Sequence, residues 1–348
     1  MSALLDRSPY GPRDESAFLS ELRSLTEHHI AGCPEYARIW NSWRPSSNIE
    51  DFPFLHVGTF KTIQFTTKAE GLKHQRVLKS SATSSGTSSQ IMLDQRSAEL
   101  QARSSNAILT DFLGHDKRPL LVLDSVGGLR SGAEVSARIA AALSLKPLSS
   151  DIIFLLKDAA DPRSIKWDTL LRALTAGDSF LVYGFTYMLW TAWATGNIPD
   201  EVRRALHGKK IDFVHSGGWK KLEHLRVSRK EFDAQLTRDL HPESRVIDFY
   251  GLVEQVGVVY PLCSAGFRHI PVWANVLIRD PWTLSSLPDS EGQLQLMNLL
   301  AWGAPYHNVL TEDLGKLVPG ECSCGRKGKR FEFIGRVPKA ETRGCANV

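Results

Sequence analysis

Apolar and polar positions change their spacing several times along this chain. Between residues 15 and 43, Phe18, Leu19, Leu22 and Leu25 recur at helical intervals, which predicts one or two helices. Residues 52–60 keep no regular period and contain Pro53. From residue 75 the pattern alternates. Apolar runs at 120–123, 152–156, 180–183, 211–214 and 246–249 read as buried strands. Helical patterns lie between them at 97–113, 133–143, 167–174, 199–206 and 229–240. A further run at 75–78 leads into a hydroxyl-rich stretch, and a helix is expected to begin near Ile91. Strands alternating with helices predict an α/β fold whose mostly parallel sheet is covered on both faces. Beyond Pro261 the runs shorten, to 272–278, 294–299, 309–311 and 331–334, which predicts a second sheet or a small barrel. Residues 325–339 are rich in Arg and Lys and read as a flexible or docking tail. The divisions expected are therefore a helical segment at 1–74, an α/β core at 75–260, a β-rich part at 261–336 and a tail at 337–348.

Composition narrows the function classes. The 348 residues, 42% hydrophobic and 23% charged, suit a globular domain with a large core. A net charge of +4 is small for this length and does not point to nucleic acid. The most apolar stretch, 180–193, is too short to span a bilayer and contains Tyr, Thr and Gly. Residues 1–15 are polar, with no apolar signal core, so a cytoplasmic location is expected. Five cysteines, an odd number, fit free thiols in a reducing compartment better than a disulfide framework.

Four short motifs carry candidate chemistry. Ser84, Ser85, Gly86, Thr87 and Ser88, ending at Gln90, form a hydroxyl-rich loop. Glycine lets backbone approach an anion, and hydroxyl and N–H groups donate to its oxygens. No lysine follows the glycine at the spacing of a nucleotide-binding GxxxxGK[ST] loop. The plainer alternative is a Ser-rich linker. Tyr250-Gly251-Leu252-Val253-Glu254-Gln255 follows a predicted strand. The ring can stack on a base and the carboxylate can hold magnesium, or the segment is a plain strand-to-helix turn. Thr311-Glu312-Asp313-Leu314-Gly315 offers an aspartate at a strand end, able to accept both hydroxyls of a ribose; a hairpin turn is the alternative. His215-Ser216-Gly217-Gly218-Trp219-Lys220 places two glycines at a sheet's carboxyl edge, where open α/β sheets bind ligands. Within it, His215 either contacts the substrate's carboxylate or phosphate or serves as a hydrogen-bonded turn histidine.

In this order, and ending in Gly335-Arg336, the motifs resemble those of the adenylate-forming superfamily of acyl- and aryl-CoA ligases. Ser84-Ser85-Gly86-Thr87 resembles its [ST]SGT phosphate loop. Tyr250, Gly251 and Glu254 match YGxTE, with Val253 in the threonine's place, and Gln90 stands near the loop's usual lysine. A closer resemblance is to the LuxE-like acyl-protein synthetases, the fatty-acid-activating component of bacterial long-chain aldehyde-forming systems. It is carried by 54–57 with Phe60-Lys61, by 84–90, 215–220, 248–251 and 311–315, by Cys324-Gly325-Arg326 and by Arg343-Gly344-Cys345. It covers the chain from about residue 15 to the end.

The resemblance implies the large domain of an adenylate-forming enzyme with the mobile C-terminal domain absent or truncated. It implies ATP and Mg2+ as cofactors and a carboxylic acid, expected to be fatty, as substrate. Ser84, Ser85, Thr87 and Ser88 would hold phosphates, Glu254 magnesium, Tyr250 with Gly217 and Gly218 the adenine, and Asp313 the ribose, supported by Arg336. Lys220, Lys221 and Lys339 are candidates to face the α-phosphate. Cys345 is expected to carry the acyl group as a thioester, since a thiolate can attack an acyl-adenylate. A protein acceptor, such as a reductase or carrier protein, would then receive it. Two alternatives stand beside this one: a ligase charging coenzyme A or a pantetheine arm, and a non-catalytic acyl-binding subunit. Residues 184–190 are read as the wall of an acyl tunnel or as a fully buried helix. Cys322 and Cys324 could be half a zinc site, but no matching pair is near in sequence; Cys263 and His307 could complete it only by folding. Cys33 is read as structural.

Overall fold

Runs buried on both faces organise the molecule around two six-stranded sheets, with a three-stranded sheet beside them. A computed structural model describes residues 3–79, 89–129, 134–219 and 224–338. The first third contains helix α1 (Glu15–Gly32), helix α2 (Pro34–Trp40) and strand β1 (Leu55–His56). The hairpin β2 (His74–Lys79) and β3 (Gln90–Asp94) leads into helix α3 (Gln95–Leu113). Then come β4 (Arg118–Val122), β5 (Glu134–Ser136), α4 (Ala137–Ser144), β6 (Ser149–Phe154), α5 (Trp167–Thr175) and β7 (Ser179–Phe185). Next are α6 (Thr186–Leu189), α7 (Asp200–Leu206), β8 (Lys210–Ser216), α8 (Arg229–Leu236) and β9 (Arg245–Tyr250). The last part is all strand: β10 (Tyr260–Pro261), β11 (Arg268–His269), β12 (Ala274–Arg279), β13 (Gly292–Asn298), β14 (Asn308–Leu317) and β15 (Arg330–Arg336).

The central sheet has the order β10-β9-β8-β7-β4-β6 and is parallel except for the short edge strand β10. Its middle strands are apolar because both faces are covered. Phe180, Leu181, Val182, Ile211, Phe213 and Val214 have no exposed surface. The outer strand β6 begins Ser-Ser-Asp, and such polar residues discourage edge-to-edge pairing. Asp212 of β8 carries a charge into the interior, where it is bonded by Arg118 at 2.8 Å and by Arg245 at 2.7 and 3.0 Å. Burial alone would raise its carboxyl, but the two guanidinium groups hold it below the ordinary range.

The second sheet has the order β11-β15-β14-β13-β12, and β1 lies parallel to β14. Residues 1–74 thus contribute a strand to the C-terminal sheet, with Leu55 opposite Val309. On α1 the buried face is Phe18, Leu22, Leu25, Thr26 and His29, the helical spacing expected from the sequence. Thr26 and His29 reach the same sheet's neighbourhood, Thr26 Oγ1 lying 3.1 Å from His307 Nε2 and the His29 and His307 rings stacking at 4.7 Å.

Three sequence expectations change. The helical pattern at 133–143 divides, residues 134–136 forming β5 and the helix α4 beginning only at Ala137. Residues 90–94 form a strand because Ile91 and Leu93 alternate into the core; the helix starts only at Gln95, capped by Asp94. Residues 325–336 are not a free tail. Arg326 binds Asp111 at 2.6 Å and stacks 3.6 Å over the Phe112 ring, Arg330 is buried, and 330–336 form β15.

Candidate active site

The carboxyl end of β9 meets the middle of β14, and that of β8 lies beside it in the central sheet. Strand β8 ends at His215 and Ser216, followed by the exposed pair Gly217 and Gly218. Gly217 has φ +77°, a conformation that favours glycine. Its carbonyl accepts from Thr186 Oγ1 at 2.6 Å, and the same hydroxyl lies 2.9 Å from His215 Nδ1. His215 is buried against Phe232, and burial lowers its pKa to about 4, with Arg229 and Arg268 acting in the same direction. A ring that is neutral at pH 7 and held by a hydroxyl positions the Gly217-Gly218 turn. Asp248, which neighbours His215, is paired with Arg268.

Strand β9 ends at Tyr250, whose hydroxyl donates to Asp313 Oδ2 at 2.8 Å. Its ring packs 5.0 Å from Phe333 and 6.1 Å from Tyr260. The sequence suggests a strand end or hairpin turn for Asp313. It lies instead within β14, opposite Arg336, at an irregular stretch where four steps of β14 span two of β13. Bulges re-aim side chains, and this one turns Asp313 to Tyr250. Thr311 Oγ1 supports it by accepting from the Asp313 N–H at 3.1 Å. Burial raises the Asp313 carboxyl, against the lowering influence of the Tyr250 hydrogen bond and Arg336. Arg336 Nε lies 3.6 Å from Asp313 Oδ1 and is largely exposed.

Glu254 follows in a 3-10 turn, Val253–Gln255, and is buried. Burial raises its carboxyl, while a hydrogen bond from Ser89 and the nearby Lys61 ammonium lower it; Asp313 is close enough to raise it. Ser89, the first described residue after the hydroxyl-rich stretch, therefore lies beside Glu254. Gln90 opens β3, opposite Lys79. The stretch therefore connects two antiparallel strands rather than a strand and a helix. Ser84, Ser85, Gly86, Thr87 and Ser88 lie outside the described residues, as do Lys220, Lys221, Lys339 and Cys345.

The fold thus gathers Tyr250, Asp313, Arg336 and Glu254 from separate segments, with Gly217, Gly218 and Gly251 at the same sheet edge. Sequence reasoning had no role for Lys61 or Thr186. Lys61 enters there only as part of the Phe60-Lys61 pair, and Thr186 lies inside the 184–190 stretch. That stretch forms α6 and then a π-helical turn, Trp190–Ala194, with Met188 and Leu189 fully buried. A cleft of about 470 Å³ lies elsewhere, between His28, Lys73, Arg96 and Trp302.

Chemically, a carboxylate backed by a phenol and an arginine can accept from a pair of neighbouring hydroxyls. A buried carboxyl beside a hydroxyl and a lysine is a hard-oxygen position suited to a small divalent cation on phosphates. The cysteines behave differently from expectation. Cys263 does approach Cys322 and Cys324, but His307 does not; His269 takes the fourth place. Cys33 is buried between α1 and α2, as its structural reading requires.

The family model for acyl-protein synthetase, LuxE, matches residues 20–348. Among curated proteins, the chain is similar to the long-chain-fatty-acid–luciferin-component ligase of Vibrio harveyi. The two are 27% identical over 142 residues, 40% of this chain and 36% of that one. The protein of the same name from Aliivibrio fischeri is 24% identical over 47% of this chain and 42% of its own. The matched region thus spans well under half the length of either relative. Among solved structures, an open conformation of 2-hydroxyisobutyryl-CoA ligase in complex with 2-HIB-AMP and CoA has a TM-score of 0.65 at 16% identity. It covers 93% of this chain and 70% of that one. The same ligase in its postadenylation state has a TM-score of 0.62. These likenesses show the adenylate-forming ligase fold.

Proposed function

The chain belongs to the acyl-protein synthetase (LuxE) family, and from that premise we propose that it activates a fatty acid with ATP and passes the acyl group to a thiol. The acid's carboxylate oxygen attacks the α-phosphorus of ATP, pyrophosphate leaves, and an acyl-adenylate forms. A thiolate then attacks the acyl carbon and AMP leaves. In this reading Asp313 accepts both ribose hydroxyls, held in place by Tyr250 and Arg336. The Gly217-Gly218 backbone and the Tyr250 ring flank the base. Residues 84–88 hold the terminal phosphates, and Lys61 joins Lys220 and Lys339 as a cation for the phosphate chain. Glu254 and Ser89 fit a magnesium ion: the pair is a hard-oxygen donor set, and burial destabilises the carboxylate until a cation joins it. When bound, magnesium neutralises phosphate charge. The remaining work is positioning and electrostatics, as for other reactions at phosphorus.

The observation that carries this reading is the Tyr250–Asp313 hydrogen bond of 2.8 Å, made across 63 residues at the sheet's carboxyl edge, with Arg336 and Glu254 beside it. Cys345 is the proposed acceptor, and a reductase or carrier protein the proposed recipient. Acid-dependent ATP–pyrophosphate exchange across a panel of fatty acids tests the first half-reaction. Labelled fatty acid retained as an alkali-labile adduct tests the second. Exchange should survive Cys345→Ser while the adduct disappears. Exchange with no acid in the panel would sink the first half; an adduct that persists in Cys345→Ser would sink the second.

A further inference from the structure

Four potential metal ligands meet outside the proposed nucleotide site. Cys263, His269, Cys322 and Cys324 place one ligand atom each within 4.8 Å of all the others. Cys263 Sγ and Cys322 Sγ are 3.8 Å apart, and Cys324 Sγ is 3.2 Å from His269 Nε2. A tetrahedral zinc with Zn–S of about 2.3 Å has S···S edges of about 3.8 Å. A disulfide would need a separation of about 2.05 Å. The observed spacing therefore suits a shared cation.

The backbone around these side chains repeats itself. Cys263-Ser264-Ala265-Gly266 and Cys322-Ser323-Cys324-Gly325 share the pattern Cys-Ser-x-Gly. In both, the glycine N–H donates to the first cysteine's carbonyl, at 2.9 and 3.0 Å, and the glycine has φ +84°. The Phe267 N–H lies 3.4 Å from Cys263 Sγ. Such N–H groups aimed at sulfur favour the thiolate that a metal needs. Buried Arg330 fixes the approach to Cys322 by donating to the carbonyls of Pro319, Gly320 and Glu321. Three thiolates and a neutral imidazole around a divalent cation leave one net negative charge. Arg326 and Arg330, which lie close enough to His269 to act on it electrostatically, offset that charge.

We propose that Cys263, His269, Cys322 and Cys324 bind one zinc ion in a closed, structural site. Three sulfur ligands and one nitrogen complete the tetrahedron and leave no open position for catalysis. Cys263 and His269 flank the turn between β10 and β11; Cys322 and Cys324 lie between β14 and β15. The ion ties the β14–β15 connection to the strand that pairs with β9. It does so at the end of the hairpin opposite the Asp313–Arg336 pair.

The test is metal analysis of the full chain, purified under reducing conditions and freed of loosely bound ions. About one zinc per chain is expected, and Cys324→Ser and His269→Ala should each lower that content by about fivefold or more. Cys33→Ala should leave it unchanged. Cobalt(II) introduced in place of zinc should give a thiolate-to-metal charge-transfer band and intense visible bands of tetrahedral cobalt. That spectrum uses the unaltered chain and does not depend on how the variants fold. A chain that neither retains zinc nor takes up zinc or cobalt on reconstitution would overturn the proposal. So would a Cys263–Cys322 disulfide in peptide mass analysis, or loss of the metal in Cys33→Ala alone.

Discussion

Asp212 and Asp313 are both buried carboxylates reached by arginine, yet the protein treats them in opposite ways. Asp212 sits in the first half of β8 and is saturated by Arg118 and Arg245 in direct hydrogen bonds; its carboxyl is held low. Asp313 sits on an irregular strand at the carboxyl edge, has one close partner in Tyr250 and a looser one in Arg336, and its carboxyl is pushed up. The first spends its bonding capacity on the fold. The second keeps an acceptor in reserve, at a cost to stability, as expected of a group that completes its bonding only when a ligand arrives.

Breaking each carboxylate separately should keep the two roles apart. Asp212→Ala leaves the buried Arg118 guanidinium without its carboxylate and frees the more exposed Arg245, and it should destabilise the fold by about 3 kcal/mol or more, read by denaturant unfolding. Asp313→Ala should barely move the unfolding midpoint. It removes hydrogen bonds to a diol worth about 1.5–3 kcal/mol each, so kcat/KM for ATP in the exchange reaction should fall by about a hundredfold or more. A large loss of stability in Asp313→Ala would erase the distinction between the two. Lys61→Met sharpens it further: exchange should fall by about tenfold, chiefly through binding of the phosphate chain, with stability within about 0.5 kcal/mol of the parent.

Acid should separate the carboxylates by sign. The folded pKa of Asp212 is below its unfolded value, so its contribution is complete above about pH 4 and is lost as pH falls through the folded value. The folded pKa of Asp313 is above its unfolded value, so it lowers stability once pH exceeds both and relieves that penalty as pH falls. Asp313→Asn should therefore be slightly more stable than the parent at pH 7, and this gain should vanish near pH 4. Thermal unfolding at the two pH values reads the difference; an equal gain at both would sink it.

The strands of the central sheet were legible because parallel strands covered on both faces need continuous apolar runs, as at 180–183 and 211–214. Tyr250, Glu254, Asp313 and Arg336 were legible as motifs, and their meeting at one edge needed the fold. What escaped did so for physical reasons. Residues 91–94 are too few to distinguish a strand's period from a helix's first turn. The placement of Asp313 depends on an irregularity in strand pairing, which leaves no mark in composition. Nothing in the sequence joins His269 to Cys322 and Cys324, because a stretch of more than fifty residues separates them. Arg326 and Arg330 looked like a solvated basic run, and only packing against Phe112 and the carbonyls of 319–321 reveals that they are held in place.

The parallel pairing of Leu55 and His56 with Val309 and Leu310 sets an order on biosynthesis. During translation, the peptide's fifty-fifth residue emerges more than two hundred and fifty residues before its partner exists. Until then, Leu22 on α1 and Phe52 have no Val276 or Leu294 to pack against, because those residues too arrive late. The C-terminal sheet is therefore completed only after β14 and β15 have been made. Its earliest contribution waits as exposed apolar surface in the meantime, the circumstance in which a nascent chain depends most on chaperones.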